Sequence, residues 1–383
     1  MTKELSVVYL VHDLGNGNVE RRVRTFLAGG GRVRLLGFRR GEAPVAEVAG
    51  VAATDLGRTH DSRLALRAVQ VIRAAFGLAV WGRACRGADL VVARNLEMLL
   101  LAWLARRLFA PRAGLVYELI DIHSLMVGDG PLSVALRGLE RWLLRDCGRI
   151  LISSPAFAER YLDQFQLGHP PVVLVENKVY PARAAVASRP PGPPWRIGWF
   201  GNLRCRRSLD VLIALARRFS DTVEIDLRGG LCCEALASLP DEVRPYPNIV
   251  WHGGYRGEDL ADIYAKVHFC WAIDYYQEGL NSSWLLPNRL YESCLHGSVP
   301  IAVASVETGR WLARHDLGVR LDESVEAAMI VFLSNLTPAG YVRLTGQLAA
   351  SDPRLFRLDE SECRDLIEEL GRSVSTPGAT RES

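Results

Sequence analysis

The stretch Trp195-Arg196-Ile197-Gly198-Trp199-Phe200-Gly201-Asn202-Leu203-Arg204-Cys205-Arg206-Arg207-Ser208 reads as an apolar strand that breaks at a glycine turn and passes into an amphipathic helix. Glycine lets the backbone approach a ligand closely. The unpaired amides of the helix that follows favour an anion, and arginines at 204, 206 and 207 present forks that match phosphate oxygens. Strand, tight turn and helix in that order are the unit of open parallel sheets, whose ligands lie beyond the carboxyl ends of the strands. On either side the same alternation continues. After it come Val223 to Arg228, Ile249 to His252, Val267 to Ile273 and Val299 to Val303; before it, Leu5 to Val11, Val33 to Phe38, Leu90 to Ala93, Leu115 to Ile120, Ile150 to Ser153 and Val172 to Val175. Short β-branched runs separated by helical stretches predict mostly parallel sheets covered on both faces.

A proline-rich stretch from Pro181 to Pro194 interrupts the alternation, since proline lacks the amide and keeps its predecessor out of helix. The expected division is therefore an N-terminal domain over 1–185, a C-terminal domain over 186–370 whose last helix returns to the first, and a disordered tail over 371–383 of small, polar residues.

The chain has 383 residues, 49% of them apolar and 23% charged, enough to bury two ordinary cores. Its eight scattered cysteines form no C-x-x-C pair, so neither a disulfide framework nor a zinc ribbon is indicated. Residues 1–185 carry 25 basic against 17 acidic side chains and the remainder 21 against 26. A basic half attracts nucleic acid or anionic lipid, but no nucleic-acid-binding module is present. No apolar run approaches the roughly 20 residues needed to span a bilayer. The first loop, Val11-His12-Asp13-Leu14-Gly15-Asn16-Gly17-Asn18, lacks the three spaced glycines of a dinucleotide fingerprint, so hydride chemistry gains no support.

A second constellation runs from Asp274 through Tyr275, Tyr276, Gln277 and Glu278 to Leu286-Pro287-Asn288-Arg289-Leu290-Tyr291-Glu292. Pro287 suits the first turn of a helix whose amides point back toward the strand end, and Glu292, about a turn further on, is placed to accept both protons of a ribose or sugar diol. The strand Val299 to Val303 follows the turn Leu295-His296-Gly297-Ser298. With Gly201 to Ser208 and with Pro247-Asn248-Ile249-Val250-Trp251-His252-Gly253-Gly254-Tyr255, these segments stand in the order seen in family-4-type GT-B glycosyltransferases, and the chain resembles them well over 195–320 and in outline elsewhere.

The resemblance implies an α/β GT-B fold, two Rossmann-like domains facing across a cleft. It implies a donor site built from Gly201, Asn202, Arg204, Arg207, Glu278, Pro287, Asn288, Arg289 and Glu292, with Arg204 and Arg207 on the diphosphate and Glu292 on the ribose. Glu278 stands where the first of the family's paired glutamates would be, although thirteen residues separate it from Glu292 where the family has seven. The family's lysine after the glycine turn is Arg207 here, a planar fork instead of a point charge. On the acceptor side the resemblance implies a first loop carrying Asp13, Gly15 and Gly17.

Asp121 and His123 follow the strand Leu115 to Ile120, at the strand end where a general base stands. Asp121 is the first candidate for an inverting reaction; in a retaining one both would position sugar. The expected activity is transfer of a sugar from a UDP- or GDP-sugar to a saccharide, such as a polyprenyl-diphosphate-linked acceptor in bacterial exopolysaccharide or cell-envelope synthesis, with no cofactor and no metal because no Asp-x-Asp pair occurs. A UDP-sugar epimerase and a non-catalytic GT-B binding subunit are the alternatives. The expected location is the cytoplasm, with the basic half against an anionic membrane surface through Arg63 to Arg83 or Met98 to Phe109, where apolar residues stand beside arginines. No nucleic acid is expected as partner.

Overall fold

A computed structural model of the chain describes residues 4–59, 64–181 and 189–372, with the backbone alone at 64–68. The chain divides into two compact units, Met1–Glu176 with Leu358–Ser383, and Asn177–Arg357.

The first unit holds strands β1 (Ser6–Val11), β2 (Arg32–Arg39), β3 (Glu47–Val48), β4 (Val51–Arg58), β5 (Leu90–Arg94), β6 (Gly114–Leu119), β7 (Arg149–Ile152) and β8 (Val172–Leu174). They lie in the order β3-β4-β2-β1-β5-β6-β7-β8, parallel except for the short β3–β4 hairpin. β1, β5 and β6 are buried along their whole length, which is why they read as nearly continuous apolar runs, interrupted by the buried charges of Arg94 and Glu118. The helix Glu360–Gly371 also belongs to this unit. It lies so close to the end of the helix Gly17–Ala28 that a Cβ added at Gly29 would come within 2.3 Å of the Cys363 carbonyl oxygen.

The second unit holds β9 (Trp195–Phe200), β10 (Val223–Arg228), β11 (Ile249–Trp251), β12 (Phe269–Trp271), β13 (Val299–Val303) and β14 (Val319–Leu321), all parallel in the order β11-β10-β9-β12-β13-β14. In chain order within the sheet this is 3-2-1-4-5-6, the doubly wound arrangement. Its direction of growth reverses between β9 and β12, where the loops diverge and leave a crevice.

The boundary expected at 185 falls inside the second unit. Before the prolines begin, Asn177 already donates to the Leu286 carbonyl at 3.1 Å and Val179 N to the Phe356 carbonyl at 2.8 Å. Within the stretch, Arg189 donates to the carbonyls of Ala265, His296 and Gly297 at 2.8, 2.7 and 3.1 Å, so described residues on both sides of position 185 are bonded within the second unit. Of the expected tail, Gly371 closes the last helix and 373–383 lie outside the described residues.

Candidate functional site

The crevice of the second sheet is built from three turns. At the end of β9, Gly201 has φ +108°, in the left-handed region that side chains avoid. Beside it a Cβ at Gly229 (φ +137°) would lie 1.7 Å from the Gly201 carbonyl oxygen, so the backbone there admits only glycine. Asn202 is exposed. The helix then starts at Arg206, with the Cys205 sulfur accepting from Ser208 N at 3.4 Å. Arg206 and Arg207 therefore occupy the first turn, and no acidic residue accompanies them. Two cations at the positive end of a helix dipole are each unfavourable by roughly 0.3–1 kcal/mol.

Arg206 is countered by Asp210 at 2.8 Å and Glu242 at 2.7 Å, and the loop after β12 supplies the counter-charges of Arg204 and Arg207. Arg204 donates twice to Asp274 Oδ2, at 2.7 and 3.1 Å, and lies over the Tyr276 ring at 5.1 Å. Arg207 Nη1 reaches both Glu278 oxygens at 2.7 and 2.9 Å and lies 4.1 Å from the Tyr275 ring centroid. Burial alone would raise the Asp274 carboxyl, but the guanidinium of Arg204, then that of Arg289, outweighs it and holds Asp274 below the usual carboxylate range. Arg204 and Arg207 keep 27% and 48% of their side chains exposed, so both remain open to a ligand.

The third turn opens the helix Asn288–Leu295. Pro287 is its N-cap residue instead of lying in its first turn. Arg289 is buried and donates through Nη2 to the Ile273 carbonyl at 3.1 Å; it fixes the end of β12 and lends its charge to Asp274 from behind. Asn288 stands beside it in the first turn. One turn further, Glu292 is 6% exposed, and its Oε2 accepts from the Tyr264 hydroxyl at 3.3 Å. Tyr264 meets Phe200, the last residue of β9, edge to face at 5.0 Å and stacks with His296 at 5.8 Å. The sequence-expected donor residues thus gather at one sheet end: Arg204, Arg207 and Glu278 directly, Arg289 through Asp274, and Glu292 through Tyr264. A cavity of about 250 Å³ opens next to them, lined among others by Asp274, Glu278, Ser282, Ser283 and Thr308. Sequence reasoning passed over Asp274, Tyr275 and Tyr276 as partners of the arginines, and Gly229 entirely. The signal available was a carboxylate and two aromatic residues immediately after a strand.

In the first unit, Asp13 Oδ1 accepts from Gly15 N at 3.1 Å and Oδ2 lies 3.6 Å from Arg40, so this carboxylate shapes its own loop. Neither Gly15 nor Gly17 has a positive φ; the helix start is set instead by Asn16, whose side chain accepts from Asn18 N at 2.9 Å. Asp121 and His123 are exposed on the segment after β6, anchored by buried Ile122. His123 Nδ1 accepts from Leu125 N at 3.2 Å, which places the proton of the neutral ring on Nε2. In that tautomer the exposed ring offers Nε2–H as a donor.

No family model matches the chain. The succinoglycan biosynthesis protein ExoL of Rhizobium meliloti (strain 1021) is 41% identical over 376 residues, which cover 96% of this chain and 93% of that protein. The chain belongs to the ExoL family. Among solved structures, sucrose-phosphate synthase from Thermosynechococcus elongatus superposes with a TM-score of 0.69 at 14% identity, covering 97% of this chain and 99% of that one. Anabaena HepE in complex with UDP and glucose gives 0.68 at 15%, covering 96% and 99%. At such identities the likeness speaks for fold, and it gives this ExoL-family chain the GT-B fold of glycosyltransferases.

Proposed function

We propose that the chain is a glycosyltransferase of polysaccharide synthesis, which takes a sugar from a UDP-sugar bound by the second unit and passes it to a saccharide acceptor bound by the first. The observation that carries this reading is the pairing of two half-exposed arginines, Arg204 and Arg207, with one loop at the sheet's switch point. A diphosphate suits that place. It relieves the clash between the arginines of the helix's first turn and the dipole, and the guanidiniums stabilise the charge that develops on the leaving group. Glu292 is assigned the ribose hydroxyls, and Asp121 the proton of the attacking hydroxyl with His123 holding the acceptor. The relative's role in succinoglycan biosynthesis and the UDP held by HepE support the substrate classes.

The test is incubation with UDP-, GDP- and ADP-sugars plus lipid-linked saccharide extracted from the producing cell. Transfer from a UDP-sugar, reduced at least tenfold in both Arg204→Ala and Arg207→Ala, is the expected result. An epimerised UDP-sugar formed without acceptor would overturn it.

Membrane contact is assigned to one of the two segments considered from sequence. The helix Leu96–Phe109 turns Met98, Leu99, Leu101, Ala102 and Ala105 into the core. The helices Leu64–Phe76 and Leu78–Trp81 instead expose Val69, Ile72, Phe76 and Val80 along one face, with Phe76 86% exposed, and Arg73 and Arg83 are exposed nearby. Arg63 and the side chains of Leu64 and Arg67 lie outside the described residues. No single helix among the described residues is long and apolar enough to cross a membrane. The bent pair Val325–Asn335 and Pro338–Ala350 meets that test only jointly and contributes Val325, Met329, Leu333 and Tyr341 to the second core. Sedimentation with anionic vesicles at low salt, lost in Phe76→Ser/Val80→Ser, checks the assignment; equal sedimentation of both proteins would remove it.

A further inference from the structure

Strand β4 is bulged at its carboxyl end. Gly37 pairs with Asp55 and Arg39 with Arg58, so Leu56 and Gly57 stand opposite Phe38 alone. A bulge bends its strand and re-aims the side chains beside it, and Gly57 supplies the backbone conformation needed, with φ +117°. Between this bent end and the helices Leu64–Phe76 and Leu78–Trp81 lies an open groove of about 640 Å³, within the size range of ligand clefts. Trp81 Nε1 donates to the Ala74 carbonyl at 2.8 Å, which fixes the indole in the groove wall.

The groove is cationic. Arg58 and Arg73 both line it, and both are exposed. Among the described residues no carboxylate pairs with Arg73, and Arg58 is met loosely by Glu42, 3.7 Å away and 89% exposed, a pair that gives up little when a ligand replaces it. Asp55, the acid of the lining, is already engaged: Oδ1 accepts from Gly57 N at 2.8 Å and Oδ2 from Arg39. Two guanidiniums without a firm partner match a diphosphate, whose oxygens take paired N–H donors. Val80 belongs both to this lining and to the exposed apolar ridge of Val69, Ile72 and Phe76. A soluble anion has no use for such a ridge; an anion that carries a hydrocarbon chain does.

We infer that this groove holds the diphosphate of an isoprenoid-linked acceptor, with Arg58 and Arg73 on its oxygens and the isoprenoid leaving over Val80 and Phe76. The inference rests on the glycosyltransferase reading, but on a unit separate from the donor residues. β4, β2, β1, β5 and β6 are mutually parallel, so the groove opens at the same sheet end as the segment that carries Asp121 and His123. The carrier is held at the margin of the sheet while its saccharide extends inward.

Farnesyl diphosphate and inorganic diphosphate, titrated calorimetrically into the full chain with UDP saturating so that the donor arginines are occupied, test the site. Farnesyl diphosphate should bind at least about tenfold tighter than inorganic diphosphate, because its chain buries apolar surface. Arg58→Ala and Arg73→Ala should each weaken it about five- to tenfold with unchanged melting temperature, and Phe76→Ser/Val80→Ser should lower it to the affinity of inorganic diphosphate. Equal binding of the two diphosphates by the parent, or parent-like binding in both arginine variants, overturns the inference. So does equally tight binding of dihexanoyl-phosphatidylglycerol, which would make the groove a site for bilayer headgroups. UDP titrated alone keeps the two readings apart. Retained UDP binding with no farnesyl diphosphate binding sinks this inference alone, whereas absent UDP binding sinks the donor reading.

Discussion

If Glu292 receives the ribose, its removal and the removal of a ribose hydroxyl must not add. In the free protein the Glu292 carboxylate accepts from the Tyr264 hydroxyl at 3.3 Å, a long hydrogen bond. Glu292 is 6% exposed, so a hydroxyl that reaches it forms a charge-assisted bond in a desolvated place, worth about 1.5–3 kcal/mol. Deleting the 2′-hydroxyl should then weaken UDP binding by roughly 10- to 100-fold in the parent protein. Glu292→Ala should lose about as much for UDP but bind UDP and 2′-deoxy-UDP within about threefold of one another, a coupling of at least ~0.7 kcal/mol. Isothermal titration of both nucleotides into both proteins, with thermal melts to confirm folding, measures the cycle. The same UDP to 2′-deoxy-UDP ratio in the parent and in Glu292→Ala would refute the reasoning, because the two deletions would then act at unrelated places.

Arg207 and Glu278 form a half-exposed pair worth at most about 0.5 kcal/mol, so Glu278→Gln should tighten UDP binding about twofold by releasing the arginine. Arg207→Ala should weaken it about tenfold, both read by titration; weaker binding in Glu278→Gln would place that carboxylate on the ligand instead. Asp121→Asn should lower kcat about 10²–10⁴-fold and leave UDP affinity unchanged; undiminished turnover excludes Asp121 as base. Glu118→Gln leaves Arg22 and Arg94 buried without their counter-charge and should cost about 3–5 kcal/mol in denaturant unfolding of the first unit. The two buried glutamates of that unit have opposite pH signatures. Glu118, which burial would raise but Arg94 and Arg22 bring down to about 2, adds stability above the ordinary carboxylate value that is lost as pH falls toward 2. Glu140, raised by burial against the hydrogen bonds of Tyr161, Tyr117 and Gln166, adds stability at low pH that is lost as pH rises through its folded value. Melts across pH in Glu140→Gln should lose the second dependence and keep the first.

Most of both sheets could be read from the amino-acid order because their strands are buried on both faces and stand out as nearly continuous apolar runs. The strands that escaped are those the core does not touch evenly. β4, Val51-Ala52-Ala53-Thr54-Asp55-Leu56-Gly57-Arg58, has no fully buried residue and mixes small, polar and glycine positions. β14 is only three residues long. Proline composition did not locate the end of a unit, since the bonds that commit Asn177, Val179 and Arg189 to the second unit go to carbonyls that carry no sequence signature.

The arginines make the same point about the site. Arg22 and Arg94 each bind Glu118 much as Arg204 binds Asp274, and composition ranks all of them as equal candidates for an anion. Exposure separates them: side chains of Arg22 and Arg94 are 7% and 1% exposed, whereas those of Arg204 and Arg207 are 27% and 48% exposed. A sealed ion pair cannot exchange its carboxylate for a phosphate without exposing a buried charge, which costs several kcal/mol. A half-exposed pair gives up little when it does so. The knot in the first unit is therefore a fixed ionic support, and Arg204 likewise keeps a buried partner in Asp274, 7% exposed, whereas Arg207 and Glu278, 48% and 53% exposed, form the exchangeable pair.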